Sequence, residues 1–284
     1  MEHKFQQLSN NVIIMHAEHD TDRPILAAVV GKRRTLLLDA GNSPAHAELF
    51  RAELSARGVR PPDILVLTHW HWDHTFGMSA WDLPAVAHAG TAKVLSSLLI
   101  YDWSDECLEQ LITEKTISKE TAADIRKEYG TERTIRILEP DIVFQDKITL
   151  DLGGITCELA HVGGDHAEDS CFLFIKEDRI LFLGDALGPS VYGGPRKYSS
   201  TEFLRLLKLV YSYGADWIVE SHGIPVSEEE FRKDLSSWER LARVVDVFGH
   251  NRDRVVLEMK TYLKMAELPK DLLQGIEYFM AGTT

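Results

Sequence analysis

The sequence predicts a mixed α/β fold class in which strands and helices are grouped, and three observations carry that expectation. Short apolar runs rich in Val, Ile and Leu, bounded by turn residues, occupy two stretches, about 12–38 and about 142–183. Helical spacing follows each of them, over Pro44–Arg57 and 91–130 in the first half and from Ser227 onward in the second. At 284 residues the chain can bury a large core as one domain spanning 1–284 without disulfides, although two smaller domains fit the same length.

Taken in order, Val12-Ile13-Ile14-Met15, Ile25–Val30 and Thr35–Leu38 read as a β-meander, with Gly31-Lys32-Arg33 as a tight turn. Pro44–Arg57 reads as a helix, N-capped by Ser43 and stopped by Gly58. Ile64-Leu65-Val66-Leu67 is a buried strand, and Ala85–His88 is another. Residues 91–130, extending to about 135, are rich in Leu, Glu and Lys and lack strand punctuation, which marks an inserted helical cap. Strands return near 142–150, 154–161, 171–176 and 179–183, with Asp151-Leu152-Gly153-Gly154 turning the first pair. The tail, 227–284, alternates helical runs broken by Gly249 and Pro269, and no internal repeat or low-complexity segment is visible.

The chemistry concentrates in His69-Trp70-His71-Trp72-Asp73-His74, directly after the apolar strand and Thr68. If the segment stays extended, His69, His71 and Asp73 point one way while Trp70 and Trp72 form an apolar backing on the other. Three imidazoles and a carboxylate suit a borderline-soft divalent ion such as zinc. A solvated histidine tract is the ordinary alternative, but such tracts belong to tags and tails, not to the end of a core strand.

His-x-His-x-Asp-His after an apolar strand resembles the hallmark of the metallo-β-lactamase-fold superfamily of metallohydrolases. Four more segments resemble that family in the expected order. Thr35–Gly41 is similar to its Asp-x-Gly strand, Gly163–Ser170 to its third-histidine loop, Arg179–Asp185 to its Gly-Asp strand, and Trp217–Gly223 to the strand before its last histidine. The resemblance implies a four-layer αββα sandwich. It also implies two divalent metal ions, zinc first, with iron and manganese also suited to these ligands. His69, His71 and His166 would hold one ion, Asp73, His74 and His222 the other, and Asp185 would bridge them. Asp39 would orient a ligand from behind, and Asp73 would double as a proton acceptor. Hydroxide shared by the two ions would then be the nucleophile; no Gly-x-Ser-x-Gly elbow is present to supply another.

His161 competes with His166 but ends the run Cys157–Ala160, whereas His166 precedes Ser170–Leu173 at the family's spacing. His161 and His88 are therefore read as structural. His3, His16, His19, His46 and His250 show no ligand pattern.

Composition sets limits on partners. A net charge of −13 disfavours a nucleic-acid partner, and no apolar run is long enough for a membrane span. Cys107, Cys157 and Cys171 are scattered, so neither a disulfide framework nor a thiolate metal site is expected; with no apolar leader, they point to the cytoplasm. A small-molecule substrate is expected, and oligomeric state is not legible. Leu98, Leu99, Tyr101 and Trp103 are candidates to roof the site with an apolar pocket, or else pack on their own helices. Val191–Tyr198 is a candidate substrate loop in which Tyr192 or Tyr198 donates to a developing oxyanion. These features favour a small ester, thioester or lactone, with a phosphodiester second and a non-hydrolytic diiron redox or sensor role third. Arg196 and Lys197 would admit an anionic group if they turn inward.

Overall fold

Period-two alternation in the apolar strands decides how the layers stack. In Val12–Met15, Val12 and Ile14 join one buried cluster while Ile13 and Met15 join another, so both faces of the strand are covered. The computed structural model describes residues 4–249 and 251–283, which leaves His3 and His250 outside the described residues.

The first half comprises β1 (Phe5–Gln7), β2 (Val12–Met15), β3 (Leu26–Val30), β4 (Thr35–Leu38), α1 (Pro44–Ala56), β5 (Ile64–Val66), α2 (Trp72–Thr75), α3 (Met78–Trp81) and β6 (Ala85–His88). It continues with α4 (Ala89–Leu98), α5 (Asp105–Thr113), α6 (Lys119–Tyr129) and β7 (Ile142–Phe144). Then come β8 (Lys147–Asp151), β9 (Thr156–His161), β10 (Cys171–Ile175), β11 (Ile180–Gly184), α7 (Ser200–Ser212), β12 (Trp217–Glu220) and β13 (Val226–Ser227). The tail is α8 (Glu228–Phe248), α9 (Arg252–Leu263) and α10 (Lys270–Ala281).

One sheet runs β1 to β7 in sequence order and the other runs β13-β12-β11-β10-β9-β8. β1 to β4 are antiparallel, whereas β4, β5, β6 and β7 pair in parallel, as do β11 and β12. The sheets face each other through Val12, Ile14, Leu36 and Val66 on one side and Leu159, Leu173, Phe182 and Val219 on the other. The outer face of the first sheet, through Leu37, Leu65 and Ala87, packs on Phe50, Leu95, Leu108 and Ile125 of the helices. Phe172, Leu181 and Ile218 do the same for the second sheet against Phe203, Leu241, Met259 and Phe279. Four αββα layers result, as the family resemblance implies.

The strand expected over 142–150 is two strands. Exposed Gln145 and Asp146 interrupt it: β7 pairs with β6 in the first sheet, and β8 pairs with β9 in the second. This is where the chain crosses between sheets. β1, α2, α3, α7 and β13 are further elements that the sequence does not predict. Ser43 caps α1 as expected, its side chain accepting from His46 N, and the tail helices break near Gly249 and Pro269. Cys157 and Cys171 lie reduced in the inter-sheet core, where burial pushes the Cys157 thiol up to about 12. Among the described residues, no helix is long and apolar enough to cross a membrane.

Candidate metal centre

The site forms where the parallel strands of both sheets end, the position at which open α/β sheets place ligands. β4 delivers Asp39, β5 delivers Thr68 and His69, β11 delivers Asp185, β12 delivers Glu220 and His222, and the β9–β10 loop delivers His166. Two local features shape these strand ends. Asp39 adopts φ +58, and Gly184 adopts φ +56, with a Cβ there landing 2.9 Å from the Thr68 Cβ. Gly184 thus lets β11 approach Thr68 closely and turn Asp185 into the site.

The histidine-rich run is not extended throughout. His71 sits at the start of α2, and Trp72–Thr75 is a helical turn, so Asp73 and His74 face the site from adjacent helical positions. The alternation expected of a strand therefore fails beyond His71. Trp72 enters the core against Phe76, with ring centroids 6.0 Å apart, as an apolar backing. Trp70 instead stays half-buried, 4.7 Å from the His71 ring and 5.3 Å from that of Tyr192.

Two donor groups converge. His69, His71 and His166 form one and Asp73, His74, Asp185 and His222 the other, with donor atoms within 4.8 Å of one another in each. Asp185 Oδ2 lies 3.4 Å from His166 Nε2, 3.5 Å from His74 Nε2 and 3.3 Å from His222 Nε2, so it faces both groups. Asp73 Oδ2 lies 3.0 Å from His74 Nε2 and 3.1 Å from His222 Nε2.

The residues fit cations. Nε2 of His69 and His166 is buried without a hydrogen-bond partner, although buried polar atoms are ordinarily satisfied, and that of His74 faces the carboxylates of Asp73 and Asp185. Their Nδ1 atoms are engaged from behind. Asp39 Oδ2 lies 2.8 Å from His74 Nδ1, the Thr68 hydroxyl 3.1 Å from His69 Nδ1, and the Pro189 carbonyl 3.2 Å from His166 Nδ1. Asp39 also accepts from the Thr68 N–H at 2.8 Å and from its hydroxyl.

The electrostatics agree. Burial, then neighbouring imidazoles, holds the His69 and His71 pKa values well below the ordinary range, leaving both in the neutral form that binds metal. Burial opposes charge on His74 and His222 as well. There, however, Asp73 and Asp185 prevail and raise both well above the ordinary range. The carboxylates of this group demand positive charge, which protons supply when metal does not.

A cavity of about 470 Å³ opens onto Asp73, His71, His166, Asp185 and His222. Its remaining wall includes Asp22, Ser118, Glu120, Thr121 and Asp124, along with Tyr192, Arg196 and Glu220. Four of these, Ser118, Glu120, Thr121 and Asp124, come from α6 and its cap, so the helical insertion does border the site. Its contribution is polar. The apolar roof expected of Leu98, Leu99, Tyr101 and Trp103 is absent from the wall. Leu98 and Trp103 pack into the outer core, Tyr101 packs against it, and Leu99 faces solvent.

Tyr192 lies at the wall, its ring 4.6 Å from that of His71 and its hydroxyl 3.3 Å from Thr121 Oγ1. Tyr198 does not reach the cavity: it is buried in the second helical layer, stacked 4.8 Å from Phe279 and edge-on to Phe203. α7 and α10 close over it, a long-range packing that a loop reading misses. Of the two basic residues in that loop, Arg196 lines the cavity and Lys197 does not. His161 stands apart from the cluster, stacked on His88 at 3.8 Å and 2°, with Nε2 2.7 Å from the Glu168 carbonyl.

Sequence reasoning missed Asp22, Asp124 and Glu220. Glu220, a charge ending an apolar strand two residues before His222, carried a usable signal. Asp22 and Asp124 carried none, because only folding brings them to one wall.

Comparison with known proteins agrees with this architecture. The chain is 21% identical over 252 residues to the linear primary-alkylsulfatase of Pseudomonas sp., which spans 82% of this chain and 47% of that protein. It is 25% identical over 135 residues to the human acyl-coenzyme A thioesterase MBLAC2, which spans 48% of this chain and 45% of that one. The chain thus spans about half the length of the curated relatives it matches. Among solved structures, a metallo-beta-lactamase from Pontibacter korlensis superposes with a TM-score of 0.58 at 21% identity, covering 83% of this chain and 98% of that one. The stereoselective inverting sec-alkylsulfatase Pisa1 from Pseudomonas sp. superposes with a TM-score of 0.66 at 12% identity, over 95% of this chain and 46% of that one. Residues 20–223 match the family model as well, a span that contains every donor of both groups, and the chain therefore belongs to the metallo-beta-lactamase superfamily.

Proposed function

We propose that the chain is a dinuclear metal-dependent hydrolase that cleaves a small ester, thioester or lactone. The observation that supports this reading is Asp185, whose Oδ2 lies within 3.5 Å of imidazoles from both donor groups at the floor of the cavity. His69, His71 and His166 would hold one ion and Asp73, His74 and His222 the other, with zinc favoured and iron or manganese suited to the same donors. Two bound cations would supply activated water and polarise the substrate's carbonyl oxygen.

The chain's own groups do the rest. Asp73 lines the cavity and is assigned the proton released in turnover, in competition with its ligand role. Burial raises the Tyr192 phenol far above its ordinary range, so at neutral pH its hydroxyl is a donor, available to a substrate oxygen in place of Thr121. Asp22, Glu120 and Asp124 disfavour an anionic reacting group, and with it a nucleic-acid partner. A neutral acyl group suits the cavity better.

Hydrolysis of a sulfate ester is the second reading. The similarity to an alkylsulfatase across 82% of the chain favours it, as does Arg196 on the cavity wall. The test is elemental analysis, expected to show two ions per chain, followed by kcat/KM on a p-nitrophenyl ester, an acyl thioester, a lactone, an alkyl sulfate and bis-p-nitrophenyl phosphate. An acyl substrate should lead. A sulfate or phosphodiester preferred by about ten-fold, or about 1.4 kcal/mol in transition-state binding, overturns the ranking. Two irons with no hydrolysis would favour a redox or sensor role.

A further inference from the structure

His222 is a donor histidine whose far nitrogen is buried without a hydrogen-bond partner. Its Nε2 faces Asp73 and Asp185, while Nδ1 is buried with no hydrogen bond. A neutral histidine that gives one nitrogen to a metal carries its proton on the other, and a buried N–H without an acceptor costs about 1–3 kcal/mol. The acceptor facing Nδ1 is Asp22 Oδ1 at 3.6 Å, a few tenths of an ångström beyond hydrogen-bond range.

The loop that carries Asp22 is built to hold it there. Glu18 and Arg23 exchange two backbone hydrogen bonds of 2.9 Å, closing the turn in which Asp22 takes φ +56. Glu128 of α6 accepts from Thr21 Oγ1 at 2.6 Å and from Arg23 Nη2 at 2.7 Å, and also from Ser43 Oγ. One buried carboxylate thereby clamps the residues on both sides of Asp22 to the helical insertion. The far end of the loop is tied to the metal centre, because Ile25 N donates to the Ser221 carbonyl at 2.7 Å, one residue before His222.

We propose that Asp22 is a positioning residue for His222, accepting the Nδ1 proton in a hydrogen bond once Nε2 is committed to a cation, with Glu128 setting the loop that presents it. The inference rests on the dinuclear reading above. It gives the helical insertion a role in building the metal centre through Glu128, which stands 106 residues from Asp22 in sequence.

Titration of metal-free protein with Co²⁺ against a competing chelator, followed by visible absorption, tests it. Wild type should show two binding steps. Asp22→Ala should weaken one step by about 10–100-fold and alter its absorption while leaving the other unchanged. Asp22→Asn, whose amide oxygen still accepts, should recover most of that loss, and Glu128→Gln should weaken the same step by a smaller factor. The thermal midpoint of metal-free Asp22→Ala should match wild type. Two unchanged steps in Asp22→Ala overturn the role of Asp22 and leave the dinuclear reading intact. Equal weakening of both steps with a lowered midpoint in metal-free protein makes Asp22 merely structural, and also overturns it. A single step in wild type overturns the dinuclear reading and this inference together.

Discussion

His166 and His161 lie five residues apart in sequence, yet the fold gives them opposite surroundings. His166 Nε2 is buried and unpartnered beside Asp185, whereas His161 Nε2 meets the Glu168 carbonyl. His166→Ala should therefore weaken metal binding and remove most activity, while His161→Ala retains bound metal; elemental analysis of both variants is the check, and loss of metal from His161→Ala alone would reverse the assignment. Glu220 supports a pH prediction. Burial, then Asp185, raises its carboxyl from the ordinary 4.5 to about 7, with His222 pulling the other way. A carboxyl raised on folding binds its proton more tightly in the folded chain, so its contribution to stability falls as pH rises from about 4.5 to about 7. Metal-free Glu220→Gln should therefore be more stable than wild type at neutral pH, by a margin that grows between about pH 5 and about pH 7 and then levels. Urea melts across that range measure it, and a margin that shrinks with rising pH contradicts the assignment.

At the scale of elements, the tail begins with a reciprocal cap. The Ser227 side chain accepts from Glu230 N, and the Glu230 carboxylate accepts from the Ser227 N–H at 3.0 Å, which starts α8. Ser227→Ala should cost about 1 kcal/mol in denaturant melts and leave metal content unchanged, since it loosens a helix start away from the donors. α8 packs Phe231, Leu241 and Val245 into the second helical layer, so a loss well above that value would show that the cap also sets how the helix docks. The helical insertion behaves as a wall more than a roof. Its apolar residues serve the outer core, and its polar ones, with Glu128, meet the cavity and the Asp22 loop.

For the whole molecule, metal should be a folding ligand. Seven donors from 69–74, His166, Asp185 and His222 meet only in the folded chain, so ions bind that state in preference to the unfolded one. At a free ion concentration about 1,000 times its Kd, one ion adds about 4 kcal/mol of stability. Chelation should lower the calorimetric midpoint and zinc should restore it, with a concentration dependence; a midpoint indifferent to zinc would show that the donors do not bind it in the native state.

The layered α/β class, most of the long apolar strands, the tail helices and the seven residues that gather into the two candidate donor groups are legible in the sequence. Each is encoded locally, in alternation, helical spacing, caps and short motifs at strand ends. Asp39 was legible for the same reason, sitting one residue past β4. Tertiary structure alone decided what depends on contacts between distant segments. It split 142–150 into β7 and β8 on different sheets, because pairing partners and not propensity set strand membership. It turned Asp73 and His74 onto a helical turn, buried Tyr198 under α10, and made the cavity wall acidic with Asp22 and Asp124. Those two residues stand 102 positions apart, and no local pattern distinguishes either from an ordinary solvated aspartate until the chain has folded.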